Sequence, residues 1–179
     1  MLRSFLKVPT FPVATVVLTG FLLASCSSSD DSSDGDMAGS SPYVGTWASG
    51  CFQLDSAEYS DETIVITAET FTYSFNTHNV ADCSDEPMAF ASGQIRGNYT
   101  EFSDTTTDSG LTAREVSYTV VTTALADGSV IDGPLDGQTI QDIVHIDGSD
   151  LLYFGEGDFE AKVIARPTAL NLDLGFTRQ

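Results

Sequence analysis

The sequence predicts an all-β fold: an antiparallel up-and-down β-barrel of about eight strands, with a two-sheet β-sandwich as the alternative. Three observations carry this. Hydrophobicity in the folded part alternates with period two, not 3.6. Glycine- and aspartate-rich turns separate the alternating runs. No segment after residue 42 carries a long helical pattern.

Each run gives a strand with one apolar and one polar face. The first, residues 43–52, reads Tyr-Val-Gly-Thr-Trp-Ala-Ser-Gly-Cys-Phe and holds the only tryptophan, Trp47. A short candidate follows at 62–67. Phe71, Tyr73 and Phe75 then alternate with Thr70, Thr72, Ser74 and Asn76. A further strand is expected at 89–102. Val116, Tyr118 and Val120 flank Ser117 and Thr119. Strands at 139–147 and 150–155 enclose Asp147-Gly148-Ser149, a hairpin signal. Asp127-Gly128 and the 132–137 segment mark longer turns. The last series is Leu170, Leu172, Leu174 and Phe176, set against Asn171, Asp173, Gly175 and Thr177. Residues 55–61 and 157–163 leave room for short helical turns. In an antiparallel chain of many short strands, closure into a barrel removes the exposed edges most completely.

The amino terminus has a different character. Arg3 and Lys7 precede an apolar run from Val13 to Ala24, which is too short for a comfortable membrane span. It ends Leu23-Ala24-Ser25-Cys26, which resembles the lipobox of bacterial lipoprotein signal peptides. The resemblance implies cleavage after residue 25, a lipid on Cys26 and anchoring in the bacterial cell envelope. Ser at position 27 implies the outer membrane. Several acyl chains, at about 0.8 kcal/mol per buried methylene, hold a protein at a membrane without a spanning helix. The expected organisation is a signal peptide at 1–25, lipidated Cys26 with an acidic Ser/Asp-rich tether at 26–42, and a barrel domain at 43–179. The tether has almost nothing apolar to bury. Its Asp30, Ser32, Asp34 and Gly35 resemble the start of an EF-hand loop, but the closing twelfth position is Ser41 rather than Glu.

Seven basic residues stand against 26 acidic ones, a net charge of −19. Such a chain repels phosphate backbones, so a nucleic-acid partner is excluded from the reading. Beyond Cys26, the pair Cys51 and Cys83 reads as a disulfide in an oxidising compartment, with two free buried thiols as the alternative. His78 and His145 form no HxxxH spacing and the cysteines no CxxC, so no metal or cofactor is assigned. There is no GxSxG elbow and no HExxH, and no catalytic residue is assigned. Asp142 shares a strand face with Ile140, Val144 and Ile146. If that face is internal, the carboxylate needs a partner or a raised pKa.

Gly45-Thr46-Trp47, at the start of a β-rich domain, resembles the G-x-W motif of lipocalin-like (calycin) barrels. The resemblance implies that Gly45 allows a tight entry, that Trp47 packs across the closed end, and that Arg178 covers the ring, closing the barrel. The middle-loop Thr-Asp-Tyr motif of main-line lipocalins is absent, so a divergent member is implied. Candidate ligand-binding residues are Phe71, Tyr73, Phe75, Val116, Tyr118, Val120, Leu152 and Phe154. The functional expectation is an envelope-anchored lipoprotein whose barrel binds a small apolar or amphipathic ligand. The alternative is a structural lipoprotein with a filled barrel that engages another envelope protein, with residues 128–138 as candidate surface.

Overall fold

The structure is a computed structural model that describes residues 41–54 and 57–179. The expected signal peptide, Cys26, the EF-hand-like start and the tether up to residue 40 lie outside the described residues. The strands are β1 (Gly45–Ala48), β2 (Phe52–Gln53), β3 (Tyr59–Ile66), β4 (Thr70–His78), β5 (Gly93–Thr106), β6 (Thr112–Leu125), β7 (Val130–Ile131), β8 (Thr139–Ile146), β9 (Leu151–Phe154) and β10 (Phe176–Arg178). One helix, α1 (Phe159–Ile164), lies between β9 and β10. Among the described residues no helix is long and apolar enough to cross a membrane.

The fold is all-β and antiparallel, as the alternation predicts. Hydrogen-bonded neighbours run β1, β10, β9, β8, β6, β5, β4, β3, and β3 pairs back onto β1. Eight strands therefore form a closed ring of pairings, with β2 and β7 as short additions on β3 and β6. Local chemistry sets the hairpins. Between β3 and β4, the Thr67 hydroxyl oxygen accepts from the Thr70 amide at 2.9 Å. Between β8 and β9, the Asp147 carboxylate accepts from the Ser149 and Leu151 amides at 2.8 and 3.0 Å. These donors, led by Leu151, hold the Asp147 carboxyl below the usual range.

One face of the ring gathers the main core: Trp47, Ile64, Ile66, Phe71, Val116, Tyr118, Val120, Ile140, Val144, Leu152 and Phe176. A smaller cluster of Ala113, Ile143 and Leu170 packs on the other face of β6 and β8.

Three boundaries differ from expectation. The 43–52 strand is interrupted, because the chain turns at Gly50, whose φ is +71°. This resolves the parity of Cys51: past the turn it is exposed rather than inward beside Trp47. The 89–102 strand is displaced to Gly93–Thr106, since 86–92 forms a loop that leaves Phe90 81% exposed. The 170–176 alternation is not a strand. Leu170 bridges Gly155 and joins the outer cluster, Leu172 is 51% exposed, Leu174 packs against the main core, and Phe176, where β10 begins, is buried in it. A period-two pattern in a loop carries no pleat, so its leucines serve different faces. Within β10, Arg178 shares the face of Phe176, lies opposite Trp47 and reaches its ring from a partly exposed position.

Candidate functional site

At the ring closure, β1 pairs with β10 and places Trp47 opposite Arg178. Trp47 is fully buried, and its indole N–H donates to the Tyr43 carbonyl at 2.9 Å. The Arg178 guanidinium lies over the indole, 4.1 Å from the ring centroid. It also donates to the carbonyls of Val44 at 2.9 Å and Pro42 at 2.6 Å. Gly45 has φ +153°, and a β-carbon there would lie 2.8 Å from the Arg178 Nη1. Glycine is thus required both by the backbone and by the approach of the arginine.

Cys51 and Cys83 are joined by a disulfide. It ties the segment between β1 and β2 to the loop after β4. Beneath that loop, on the outer face of β4, His78 is buried between two carboxylates. Its Nε2 lies 3.0 Å from Asp61 and its Nδ1 2.9 Å from Asp85. Burial opposes the imidazolium charge, but the hydrogen bonds and charges of Asp85 and Asp61 outweigh it and raise the pKa. Asp61, His78 and Cys83 come close enough together to hold an ion. The Cys83 sulfur is already bonded to Cys51, which leaves no thiolate. His145 lies elsewhere, with Nδ1 2.8 Å from the Thr112 carbonyl.

The ring also carries a half-open cavity of about 260 Å³. Its walls are largely aromatic. Phe71 and Tyr118 meet at 4.8 Å between centroids, Tyr73 and Phe159 at 5.3 Å, and Phe154 and Phe176 at 5.4 Å. Helix α1 supplies one side. Asp158 caps it, accepting from the Ala161 amide at 2.8 Å. The helix packs against β8 and sets Phe159 on Tyr73 of β4.

Several polar groups interrupt this apolar wall. Lys162 of α1 reaches Asp142 of β8 at 2.9 Å, with 6% and 1% side-chain exposure. The other Asp142 oxygen accepts from the Ile143 and Gly155 amides at 2.8 and 3.0 Å. Burial raises the Asp142 pKa, and Lys162 and the two amides offset this only in part. Any β-carbon at Gly155 would collide with Pro167 and lie 2.6 Å from Asp142. Glu62 of β3 is half-buried beside the Tyr73 hydroxyl; burial raises its pKa, and Tyr73 opposes the shift. The Tyr118 hydroxyl is buried with no hydrogen-bond partner among the described residues.

Comparison with protein-family profiles, with curated proteins and with solved structures found no match. The cavity brings together Phe71, Tyr73, Tyr118 and Phe154 from the predicted lining set. Val116, Val120 and Leu152 do not line it: they are fully buried core. Phe75 stacks on Tyr73 at 5.7 Å, outside the cavity wall. Alternation identifies the inward face but not the level along the strand where packing stops. The sequence reasoning missed Glu62, Lys162, Phe159 and Phe176 as lining residues. The polar residue on the apolar face of β8, Asp142, was the available signal. A buried carboxylate calls for a cation, and the chain has only seven basic residues from which to choose. The 128–138 segment is partly structured: β7 pairs with β6, and Asp136 accepts from the Thr123 hydroxyl at 2.7 Å.

Proposed function

We propose that this chain is an envelope-anchored lipoprotein, tethered through a lipid on Cys26 at the outer membrane, whose ring of strands acts as a divergent lipocalin-like barrel and binds a small amphipathic ligand. The observation that supports binding over a filled interior is the aromatic cavity of about 260 Å³ with buried polar groups in its wall. Ligand pockets combine a mainly apolar lining with a few fixed polar groups, and commonly measure about 300–1,000 Å³. This one lies just below that range, which suits a ligand of one ring or a short branched chain rather than a long acyl tail. The lipobox-like Leu23-Ala24-Ser25-Cys26 supports the anchor, and Gly45, Trp47 and Arg178 support the barrel closure.

The test is native mass spectrometry of the purified protein, paired with melting curves against a panel of small amphipathic compounds. A co-purified mass, or a compound that raises the melting temperature and loses this effect in a cavity-filling Phe71→Trp variant, is expected. A panel that leaves the melting temperature unmoved, with no co-purified mass, overturns the binding reading.

A further inference from the structure

The charge arrangement in this cavity narrows the ligand class, an inference that rests on the binding reading above. Asp142 is already satisfied: one oxygen takes two backbone amides and the other takes Lys162. Lys162 is therefore committed to Asp142, and its charge is neutralised where it stands. Glu62 has no such counterion. The polar group beside it is the neutral Tyr73 hydroxyl, its charged neighbour is Asp61, and none of the ion pairs among the described residues includes it. Glu62 thus brings an unpaired, half-buried carboxylate to a space walled by aromatic rings, in which Lys162 is already taken by Asp142. Asp158, the cap of α1, adds a further acidic group to the same wall.

Aromatic faces attract cations through their quadrupoles, most strongly when the cation is desolvated, and rings assembled around a carboxylate form an ammonium cage. Tyr118 contributes its ring to the wall, while its hydroxyl oxygen is buried away from the cavity. The net charge of −19 would concentrate cations around the molecule and disfavour anions.

We infer that the cavity binds a small organic ammonium ion, with the cationic head held by Glu62 among Tyr73, Phe71 and Phe159.

The test is titration calorimetry on the full chain with three probes of similar shape: choline, its uncharged carbon isostere 3,3-dimethylbutan-1-ol, and the pivalate anion. Choline is expected to bind at least tenfold more tightly than the isostere. Glu62→Gln, which keeps a partner for Tyr73 but removes the charge, should abolish that preference. The melting temperature of that variant without ligand checks that it folds. Should Glu62→Gln not fold, the wild-type ranking of the three probes decides alone. Equal binding of choline and the isostere overturns the ammonium inference while leaving a binding cavity in place. Preference for pivalate overturns it in favour of Lys162 as the determinant. Failure of all three probes removes the inference, and the wider amphipathic panel then decides whether the cavity binds anything.

Discussion

Arg178 performs at one position what three weaker contacts would otherwise share. Its guanidinium covers the indole of Trp47, and its N–H groups satisfy two carbonyls of the entering chain. A partly desolvated cation–π contact is worth about 0.5–2 kcal/mol. Arg178→Ala should therefore destabilise the fold by about 1–2 kcal/mol and shift the emission of the single tryptophan to longer wavelength as water reaches the ring. A chemical-denaturation curve followed by Trp47 fluorescence reads both effects, and an unchanged midpoint and spectrum would contradict the contact. His78 makes a residue-scale prediction of another kind. Its folded pKa is raised above the ordinary 6.5, so its contribution to stability is complete below that value and is lost as pH rises through the folded pKa. Asp85, lowered mainly by the Asn79 amide, contributes above 3.8 and loses that contribution as pH falls through its folded value. The destabilisation caused by His78→Gln should thus be largest between about pH 4 and 6.5 and shrink towards pH 9. Melting temperatures of the two proteins across that range would show it, and a pH-independent difference would rule it out.

At the scale of elements, α1 shows how a six-residue helix can be fixed by one charge. Isolated helices this short do not persist in water. Here Asp158 caps the first turn, Phe159 and Val163 pack on the main core, and Lys162 is drawn inward to Asp142. A buried ion pair contributes little net stability, but removal of one partner strands the other at a cost of about 3–5 kcal/mol. Lys162→Met alone should therefore destabilise strongly, while Asp142→Leu combined with Lys162→Met should recover most of the loss. A double-mutant cycle in urea measures this, and additive losses would refute the coupling. These elements also show what was legible in the chain. The strands around Phe71 and Val116 could be read because Thr70, Thr72, Ser74, Ser117 and Thr119 give them a polar outer face that keeps period two intact. The 170–176 run misled because Asp173 and Gly175 are loop residues, and hydrophobic residues pinned to two different clusters happen to fall at even spacing. The cavity was half-legible. Its aromatic side follows from alternation along one strand. Its polar side joins β3, β8 and α1, which only the closed pairing brings together.

For the whole molecule, the disulfide and the ring act on different states. Linking residues 32 apart in sequence restricts the unfolded chain, worth about 3–4 kcal/mol in the chain-entropy model. Ring closure acts on the folded state, because among the described residues each of the eight ring strands has a partner on both sides, which leaves less edge to recruit another chain. A ligand in the cavity would add to this by mass action, about 2.7 kcal/mol at a hundred times its dissociation constant. That is the size of effect the melting curves should find.

The placement of β1 has one more consequence. It is only four residues long, yet it is the strand that joins β3 to β10. Arg178, at the far end of the chain, bonds to Pro42, where the first turn of the fold begins. The first and last described strands thus meet at one seam, held by the β1–β10 backbone ladder and by the Arg178 side chain. Topologically the ring has no preferred beginning. A circular permutant that joined this seam and opened at another turn would describe the same architecture, with the order of its strands merely rotated.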